Sequence, residues 1–561
     1  MKNTVFTLQA IDWIILVCYV VLVLGIGLYF SRRVKNQGEF FVASKKLPWY
    51  ICSLAFMTVL ISAQDIVNYS QTGYEAGFCA FQMYLDDTGW AVLFLAIGLP
   101  VYFLSGIYSV PEYMERRYDK KTRVFSSIAM LIFMLALMSF NAYAIGVLLH
   151  AMFGIPVFTG MMVVTILTAI YTTSGGIMSV MITDTLQAVL IFVGGGFILF
   201  RGTKLAGGFT NMMDYTPTNN RSLFTSMFDP NYPQLGLFFG GAFAITAAWY
   251  FAHQGNIQKI LAARTLNQAR MVTAVFMGIL MPIGVLFTGT PGIIVRSLVE
   301  QGKLEPLEDT STAFLVLVGE VATPGVLGLI VAFVLSAMMS TGSTYINSSV
   351  TIFVNDIWMQ IKPGRSDRYY LKVSRWSSVI IAIGMPIIYA QYFMKFNSLM
   401  TALFSITSAV MPGMVIACIG GLCTKKIHSN TATLTIALSI IGVMLAIFIP
   451  DIFLKPFTFG LYGTPGASWF NSLAGLVWGL AGLVIGEVIW HKQEKPDTDY
   501  YGFVYFAQPA EKLEELYWKA LAKGGKGYID LTNEEIREIV EEDKPAAAGT
   551  APQTGGGDVV S

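Results

Sequence analysis

The chain has 561 residues, of which 55% are hydrophobic and 13% are charged, and its formal net charge is +1. The charged share is about half that of a typical soluble globular protein, so the composition excludes a water-soluble globule. A chain without a basic surplus also lacks the positive face by which nucleic-acid-binding proteins concentrate near phosphate, which excludes a nucleic-acid partner.

Apolar stretches long enough to cross a membrane recur along nearly the whole chain. A spanning helix needs about 20 mainly apolar residues. No small-residue cleavage site follows the first stretch, so we predict that it is a helix and not a signal peptide. The hydropathy predicts an all-α membrane protein with thirteen spans. They are 10–31, 48–74, 80–105, 124–153, 155–175, 177–203, 235–256, 271–295, 323–359, 372–394, 397–423, 430–453 and 467–490.

The loops between the predicted spans differ in their content of lysine and arginine. One set of alternate loops holds twenty of these residues, Lys259 among them, and the opposite set holds eight. Basic loops are retained on the cytoplasmic side. We therefore predict a multi-pass plasma-membrane protein with its N-terminus outside and its C-terminus in the cytoplasm.

The sequence after residue 490 becomes charged and polar. We predict a cytoplasmic tail, 491–561, with one helix from Ala510 to Ala522. A second helix follows Thr532, which together with Glu535 has the spacing of a capping box. The Ala/Gly/Pro-rich stretch from Pro545 is typical of a disordered segment.

Two predicted spans are interrupted by polar residues, which a bilayer tolerates only where a cavity or an ion takes up the freed backbone groups. The first begins as TVLISAQD at 58–65, and the second is AMMSTGSTYIN at 337–347. In the second, Ala337, Ser340, Thr341 and Thr344 share one helical face. Oxygen ligands are those that hard cations such as Na⁺ prefer, so this face indicates a cation site. The alternative is that the hydroxyls only pack helices together.

Carboxylates within predicted spans are costly and therefore indicate function by default. Asp65 and Asp184 are such residues, although an acid near the end of a span, like Asp184, can also reach water. Asp86 and Asp87 are consecutive, so a regular helix would point them about 100° apart, and we expect only one of them to be a ligand. His253, at another polar interruption, is either a ligand or a packing residue.

The five cysteines and four histidines are dispersed along the sequence. They lack the spacing of a metal, redox or nucleophilic centre. The sequence therefore argues against an enzyme.

Four sequence runs, in order along the chain, carry a resemblance to a known family. They are EFFVASKKLPW at 39–49, GIYSVPEYMERR at 106–117, IQKILAAR at 257–264 and NSSVTIFVNDI at 347–357. From about residue 10 to 490 the chain resembles the sodium/solute symporter family, which includes sodium/galactose, sodium/proline and sodium/sialic acid symporters. The resemblance implies a leucine-transporter-like fold of two inverted five-helix repeats. The implied segments are 1–47 with the first helix, repeats 48–203 and 235–423, an extracellular loop 204–234, and two final helices in 424–490.

The resemblance also implies ion and solute positions. A sodium ion would lie between the first and eighth core helices, at Thr58, Ile61, Ala337, Ser340 and Thr341. Some members hold a second sodium ion, and the matching positions are Asp184, Ser340, Ser343 and Thr344. The implied solute positions are Ser62, Asp65, Tyr84, Asp87, His253 and Phe404. Leu60 and the last five of these occupy the positions that face sugar in the sugar carriers, and there this sequence differs from those carriers.

We therefore predict a symporter that uses one or two Na⁺ ions to import a small polar solute by alternating access. Its expected partners are sodium, the solute and the lipid bilayer, and the sequence names no protein partner. Carboxylates accept hydrogen bonds and also pair with cations, so Asp65 and Asp87 fit an amino acid or amine slightly better than the alternatives, a sugar or an organic acid. Proton coupling through Asp65 or Asp184 stays open. A sodium-permeable channel and a transport sensor are the rival classes.

Overall fold

The computed structural model describes residues 6–32, 34, 36–393, 399–490 and 501–541. Within these ranges, the side chains of residues 83, 84, 244, 389–393 and 399–406 are not described. This part of the chain is helical, and its one β contact is a single bridge between Leu47 and Ala263. The predicted all-α class is thereby confirmed. The predicted disorder after Pro545 lies outside the described residues.

The helices are numbered here in chain order. The first ten are α1 Ala10–Ser31, α2 Gln37–Val42, α3 Trp49–Leu60, α4 Ala63–Ala76, α5 Cys79–Ser105, α6 Val110–Arg117, α7 Lys120–Phe153, α8 Val157–Leu205, α9 Phe209–Tyr215 and α10 Gln234–Phe251. The remainder are α11 Gln254–Leu261, α12 Leu266–Glu300, α13 Ala313–Val321, α14 Val326–Ile361, α15 Asp367–Phe393, α16 Leu399–Cys423, α17 Ser429–Phe448, α18 Phe470–Trp490, α19 Ala510–Ala522 and α20 Asn533–Glu541.

Ten helices of the described chain are long and apolar enough to cross a membrane, or eleven if the bent pair α3 and α4 forms one span. The 49-residue α8 covers two of the predicted spans, and Gly176, with φ 52° and ψ −151°, interrupts it between them. Only glycine suits this position, because a Cβ atom would lie 2.6 Å from the carbonyl oxygen of Phe40. The predicted count of thirteen spans is not confirmed.

Large apolar side chains cover the outer surface of the helix bundle. Phe200 on α8, Phe448 on α17 and Val488 on α18 are among the most exposed. Soluble monomers rarely expose contiguous apolar surface of this extent. The outer surface is therefore suited to contact with lipid.

Helix α14 lies at the centre of the bundle. All of its residues from 336 to 351 are buried, and it packs against α1, α3, α7 and α8. Because its hydroxyl groups cannot reach bulk water, hydrogen-bond partners inside the bundle are favoured, and those of Ser340, Thr341, Ser343 and Thr344 have such partners. This preference places the polar face of α14 against neighbouring backbone and side-chain groups.

One predicted span near the beginning of each predicted repeat is divided into two shorter helices. α3 and α4 meet at an angle of 60°, where Ser62 caps α4 through a reciprocal capping box with Asp65. α10 ends at Phe251, and His253 caps α11 by accepting a hydrogen bond from the Asn256 N–H at 3.3 Å. The caps satisfy amide groups that a broken helix would otherwise leave unpaired, so the backbone can open inside the bundle.

The tail folds back onto the bundle. α19 has the predicted bounds, and Thr532 and Glu535 form the predicted capping box, with backbone-to-side-chain hydrogen bonds of 2.8 and 3.3 Å. Tyr528 is fully buried and donates its hydroxyl proton to the Val101 carbonyl at 3.2 Å. These contacts hold the tail against the end of α5.

Candidate ion and solute sites

The break between α3 and α4 frees a backbone carbonyl beside α14. In a continuous helix the Ser62 N–H would bond to the Thr58 carbonyl, but it donates instead to Oδ2 of Asp65 at 3.0 Å. The Thr58 carbonyl oxygen accepts hydrogen bonds from the hydroxyls of Ser340 and Thr341, both at 3.2 Å. The helix break therefore turns a backbone carbonyl toward the hydroxyl face of α14.

Four oxygen atoms converge at this point. Each of the hydroxyls of Ser340 and Thr341 also lies 3.0 Å from the Ala337 carbonyl oxygen, and all the residues involved are buried. Ile61 lies at the break itself, with φ −113° and ψ 81°. The structure thus brings together four of the five residues predicted for the first sodium ion and places Ile61 at the break, three residues after Thr58 in the chain. A donor set made only of oxygen atoms suits a hard cation.

The four residues predicted for a second sodium ion also lie in one hydrogen-bonded group. The hydroxyls of Ser343 and Thr344 donate to the Ser340 carbonyl at 2.9 and 2.8 Å. Ser343 Oγ lies 3.5 Å from Oδ1 of Asp184, which is fully buried on α8. The group contains one further member that the sequence did not indicate.

That member is Lys259. The predicted spans place Lys259 among the basic residues of a loop, and this assignment is wrong because Lys259 lies in a buried helix. It lies on α11, is fully buried, and places Nζ 2.7 Å from Oδ2 of Asp184 and 2.6 Å from the Ala55 carbonyl oxygen. The signal that could have identified it is its position among apolar residues, Ile257 and Ile260, which is typical of a buried helix and not of a loop.

A cavity lies on the other side of the same helix break. Gln64 and Asp65 from α4 line it, together with Asp86 and Asp87 from α5. Both consecutive acids thus border one cavity, and that only one of them is a ligand stays a prediction. Asp86 separates two short helical segments, Cys79–Leu85 and Asp87–Leu93, but its own backbone is helical, with φ −60° and ψ −21°.

Aromatic side chains and a π-helical wall complete the cavity, and the sequence reasoning missed them. The aromatic residues are Tyr69, Trp249, Tyr345 and Trp469. The wall comes from the π-helical stretch Leu237–Thr246 of α10, and π-helical turns are frequent at functional sites. These residues come from distant parts of the chain, so no local pattern reveals that they meet.

Ser62 and His253 lie behind the lining of the cavity. Ser62 donates its hydroxyl proton to Oδ2 of Asp65. The His253 ring lies 4.3 Å from the Trp249 ring and 6.0 Å from the Tyr345 ring, measured between centroids. Both predicted solute residues are therefore placed to support lining residues. The predicted residues Tyr84 and Phe404 belong to helices α5 and α16, and their side chains lie outside the described set.

The cavity is rich in hydrogen-bond acceptors. Its described lining contains three carboxylates and neither lysine nor arginine. Within the described structure, Oε1 of the buried Gln64 has no hydrogen-bond partner. A buried acceptor without a donor is unfavourable, so these groups favour a solute that donates several hydrogen bonds.

Comparison with known proteins identifies the family. The model of the sodium:solute symporter family matches residues 40–449. The chain belongs to the sodium:solute symporter family. Like the other symporters of this family, it is a sodium-coupled membrane transporter and not an enzyme.

Several relatives of this symporter are similar over most of their length. The sodium/glucose cotransporter of Vibrio parahaemolyticus is 25% identical over 483 residues, which cover 80% of this chain and 87% of that protein. The sodium/mannose cotransporter of Bos taurus is 25% identical over 464 residues, covering 76% of each chain. The sodium/myo-inositol cotransporter 2 of Mus musculus is 24% identical over 492 residues, covering 80% and 72%.

A solved structure also resembles this symporter. It is a Na⁺-coupled sialic acid symporter in a substrate-bound outward-open state, with a TM-score of 0.72 and 20% identity, covering 86% of this chain and 98% of that chain. The likeness shows that the two chains share a fold. The predicted leucine-transporter-like class is thereby confirmed.

Proposed function

We propose that this symporter imports a neutral polyhydroxylated solute, a sugar or polyol, together with sodium. The observation that carries the proposal is the acceptor-rich cavity formed by Asp65, Asp86, Asp87 and Gln64. Carboxyl and amide oxygens accept hydrogen bonds, and a sugar offers several hydroxyl donors. The names of the relatives, which are glucose, mannose and myo-inositol cotransporters, support the same solute class.

The charge of the cavity lining argues against an organic acid, one of the solute classes that the sequence left open. An organic acid would bring its negative charge to three carboxylates without a described basic residue in the lining, which is unfavourable. The aromatic side chains of Trp249 and Tyr345 offer apolar surface to the less polar faces of a sugar ring. A sugar therefore fits better than an organic acid.

A solute that carries an ammonium group is the second candidate. The absence of lysine and arginine from the described lining leaves the carboxylates available to pair with a cation. This was the slightly preferred class from the sequence. The relatives, however, are named for neutral sugars and polyols, so we rank it second.

Sodium binding and solute binding meet at one helix break. Thr58 and Ile61, which we propose as carbonyl ligands of one sodium ion, precede Ser62, and Ser62 holds the Asp65 carboxylate through its backbone N–H. An ion bound between the Thr58 carbonyl and α14 would hold the end of α3 in place. Because Ser62 and Asp65 follow directly at the break, it would also hold the start of α4 in place. Sodium would thereby favour the state that binds solute, which is what coupling requires.

Transport would follow an alternating-access cycle across the plasma membrane, with the N-terminus outside and the tail in the cytoplasm. Sodium and solute enter from outside, the repeats move relative to each other, and both are released inside. Each inward charge gains about 2.3 kcal/mol per 100 mV of membrane potential. That free energy drives the solute against its gradient.

Uptake into proteoliposomes tests the proposal. The purified protein is reconstituted with an inside-negative potential, and uptake of labelled glucose, mannose, myo-inositol, an organic acid, an amino acid and an amine is measured in NaCl and in KCl. We expect sodium-dependent, saturable uptake of at least one sugar or polyol. Asp65→Asn should raise the KM for that solute, whereas Asp451→Asn, a change at an exposed carboxylate, should not.

The outcomes separate the candidates. Sodium-dependent uptake of the amine or the amino acid alone supports the second candidate. Saturable uptake that is equal in NaCl and KCl contradicts symport itself. Sodium flux that needs no solute and does not saturate indicates a channel.

A further inference from the structure

Lys259 and Asp184 form an ion pair in the middle of the bundle. The two side chains have no solvent exposure, and Nζ lies 2.7 Å from Oδ2. The ammonium also donates to the Ala55 carbonyl at 2.6 Å. The pair connects α8, α11 and the first half of the broken helix, α3.

A buried carboxylate requires a cation or several hydrogen bonds, because an isolated charge away from water is very costly. Lys259 already supplies that cation to Asp184 from within the chain. Lysine suits this role because its ammonium is a compact point charge with three donors. The group therefore does not fit a second sodium ion while Lys259 is present.

The ion pair is joined to the first ion site on both sides. The Ala55 carbonyl, which accepts from Lys259, also accepts from the Thr58 hydroxyl at 2.9 Å. On the other side, Ser343 links Asp184 to the Ser340 carbonyl. Lys259 is thus one hydrogen-bonded residue away from Thr58, a proposed sodium ligand on α3.

We propose that the Lys259 ammonium pairs with the Asp184 carboxylate and takes the place of a second sodium ion. The transporter then carries one sodium ion per solute, and Lys259 determines this stoichiometry. The inference rests on the proposed function for its transport consequence. Its binding consequence is independent of solute.

The binding test measures the melting temperature of purified protein against NaCl, with KCl keeping the total salt constant. A ligand that binds the native state stabilises it by an amount that grows with the logarithm of its concentration, once for each site. The parent should show the slope of one site. Lys259→Met leaves Asp184 without its partner, so sodium should bind there and about double the slope.

Two matched variants complete the design. Lys259→Arg keeps a positive charge and should retain the slope of one site. The double variant Lys259→Met with Asp184→Asn removes both charges and should also show one site. In proteoliposomes, the Hill coefficient for sodium should be about 1 in the parent and approach about 2 in Lys259→Met.

Several results would overturn the inference. One is a two-site slope in the parent, and another is an equal slope in Lys259→Met and the double variant. If Lys259→Met fails to fold at every sodium concentration while the double variant folds, sodium cannot replace the ammonium, which also contradicts it. Failure of the proposed function appears separately, as parent protein that binds one sodium ion but shows no sodium-dependent solute uptake.

Discussion

The hydroxyl groups of Ser340 and Thr341 are the side-chain ligands proposed for sodium, so their removal should weaken ion binding directly. A hydrogen-bonding contact to a charged group is worth about 1.5–3 kcal/mol, and about 1.4 kcal/mol is a factor of ten in affinity. Thr341→Val and Ser340→Ala should each raise the half-saturating sodium concentration about 10- to 100-fold. Sodium-dependent uptake at saturating solute measures this.

Thr168→Val is the matched control for Thr341→Val. The Thr168 hydroxyl is buried as well, but it donates within α8 to the Val164 carbonyl at 2.9 Å. Its removal should leave the half-saturating sodium concentration within about twofold, because one neutral hydrogen bond within a helix has a small net value. Equal shifts in both threonine variants would show that the α14 hydroxyls act only in helix packing.

The sequence could indicate some of these residues but not their partners. The spacing of Ala337, Ser340 and Thr341 predicted one polar face, because a helix repeats locally. Lys259 and Trp249 belong to other segments, and their proximity to Asp184 and to the cavity depends on how α10 and α11 pack. Long-range packing of this kind leaves no periodic pattern in the sequence.

The pair of half-helices α3 and α4 is the element that we propose to link the ion site to the solute site. Ser62 stabilises its break, because its hydroxyl accepts from the Asp65 N–H at 3.2 Å while its own N–H donates to the Asp65 carboxylate. Loss of an N-cap side chain costs about 0.5–2 kcal/mol. Ser62→Ala should therefore raise the half-saturating sodium concentration and the solute KM together, each by about two- to 30-fold.

The control for this change is a cap of the same kind far from the break. Asn36 caps α2 by accepting from the Glu39 N–H at 2.8 Å, so Asn36→Ala should leave both transport constants near the parent values. A Ser62→Ala variant that changes only one of the two constants would contradict a shared role of the break.

Hydropathy predicted where several helices begin and end, but it did not predict how the backbone runs between them. α1 and α19 have bounds close to those predicted, since apolar length and caps are local properties. The helix containing Gly176 runs through two predicted spans, because hydropathy does not report backbone direction. The bend at Ser62 was indicated by its polar residues, but its 60° angle depends on the packing of α4.

For the whole molecule, the docked tail connects parts of the bundle that are distant in sequence. Lys526 Nζ lies 3.0 Å from Oε1 of Glu112 on α6 and 3.8 Å from the centroid of the Tyr108 ring. Tyr113 on α6 donates its hydroxyl proton to the Phe503 carbonyl at 3.2 Å. The sequence predicted the tail helices but not this docking, which depends on contacts across about 400 residues of chain.

The charges at this docking surface make its stability depend on pH. Burial would raise the pKa of Glu112, but the charges of Lys526 and Arg123 outweigh it and hold that pKa below its usual range. Burial would lower the pKa of Lys526, but Glu112 outweighs it and raises that pKa. Burial, with a contribution from Lys526, lowers the pKa of the neighbouring Lys45 to about 7.

The sign of the effect follows from these directions. A carboxylate with a lowered pKa contributes stability that is present above its ordinary value, about 4.3 for glutamate, and is lost as pH falls through the lowered value. Lys526, with a raised pKa, contributes fully below about 10.4. From about pH 6 downward Lys45 stays charged, so Glu112 dominates the change on the acid side.

We therefore expect the parent to melt at a higher temperature than Glu112→Gln, by a constant amount between about pH 6 and pH 5. Below about pH 4 this difference in melting temperature should shrink. The reason is that a protonated Glu112, like glutamine, is neutral and no longer pairs with Lys526. Glu515→Gln, which removes an exposed partner of Lys512, should show little difference at any pH, since exposed ion pairs contribute little. A Glu112→Gln difference that persists unchanged to the lowest measurable pH would mean that Glu112 does not act through its charge, and the absence of a difference at every pH would mean that the tail is held by packing around Tyr528.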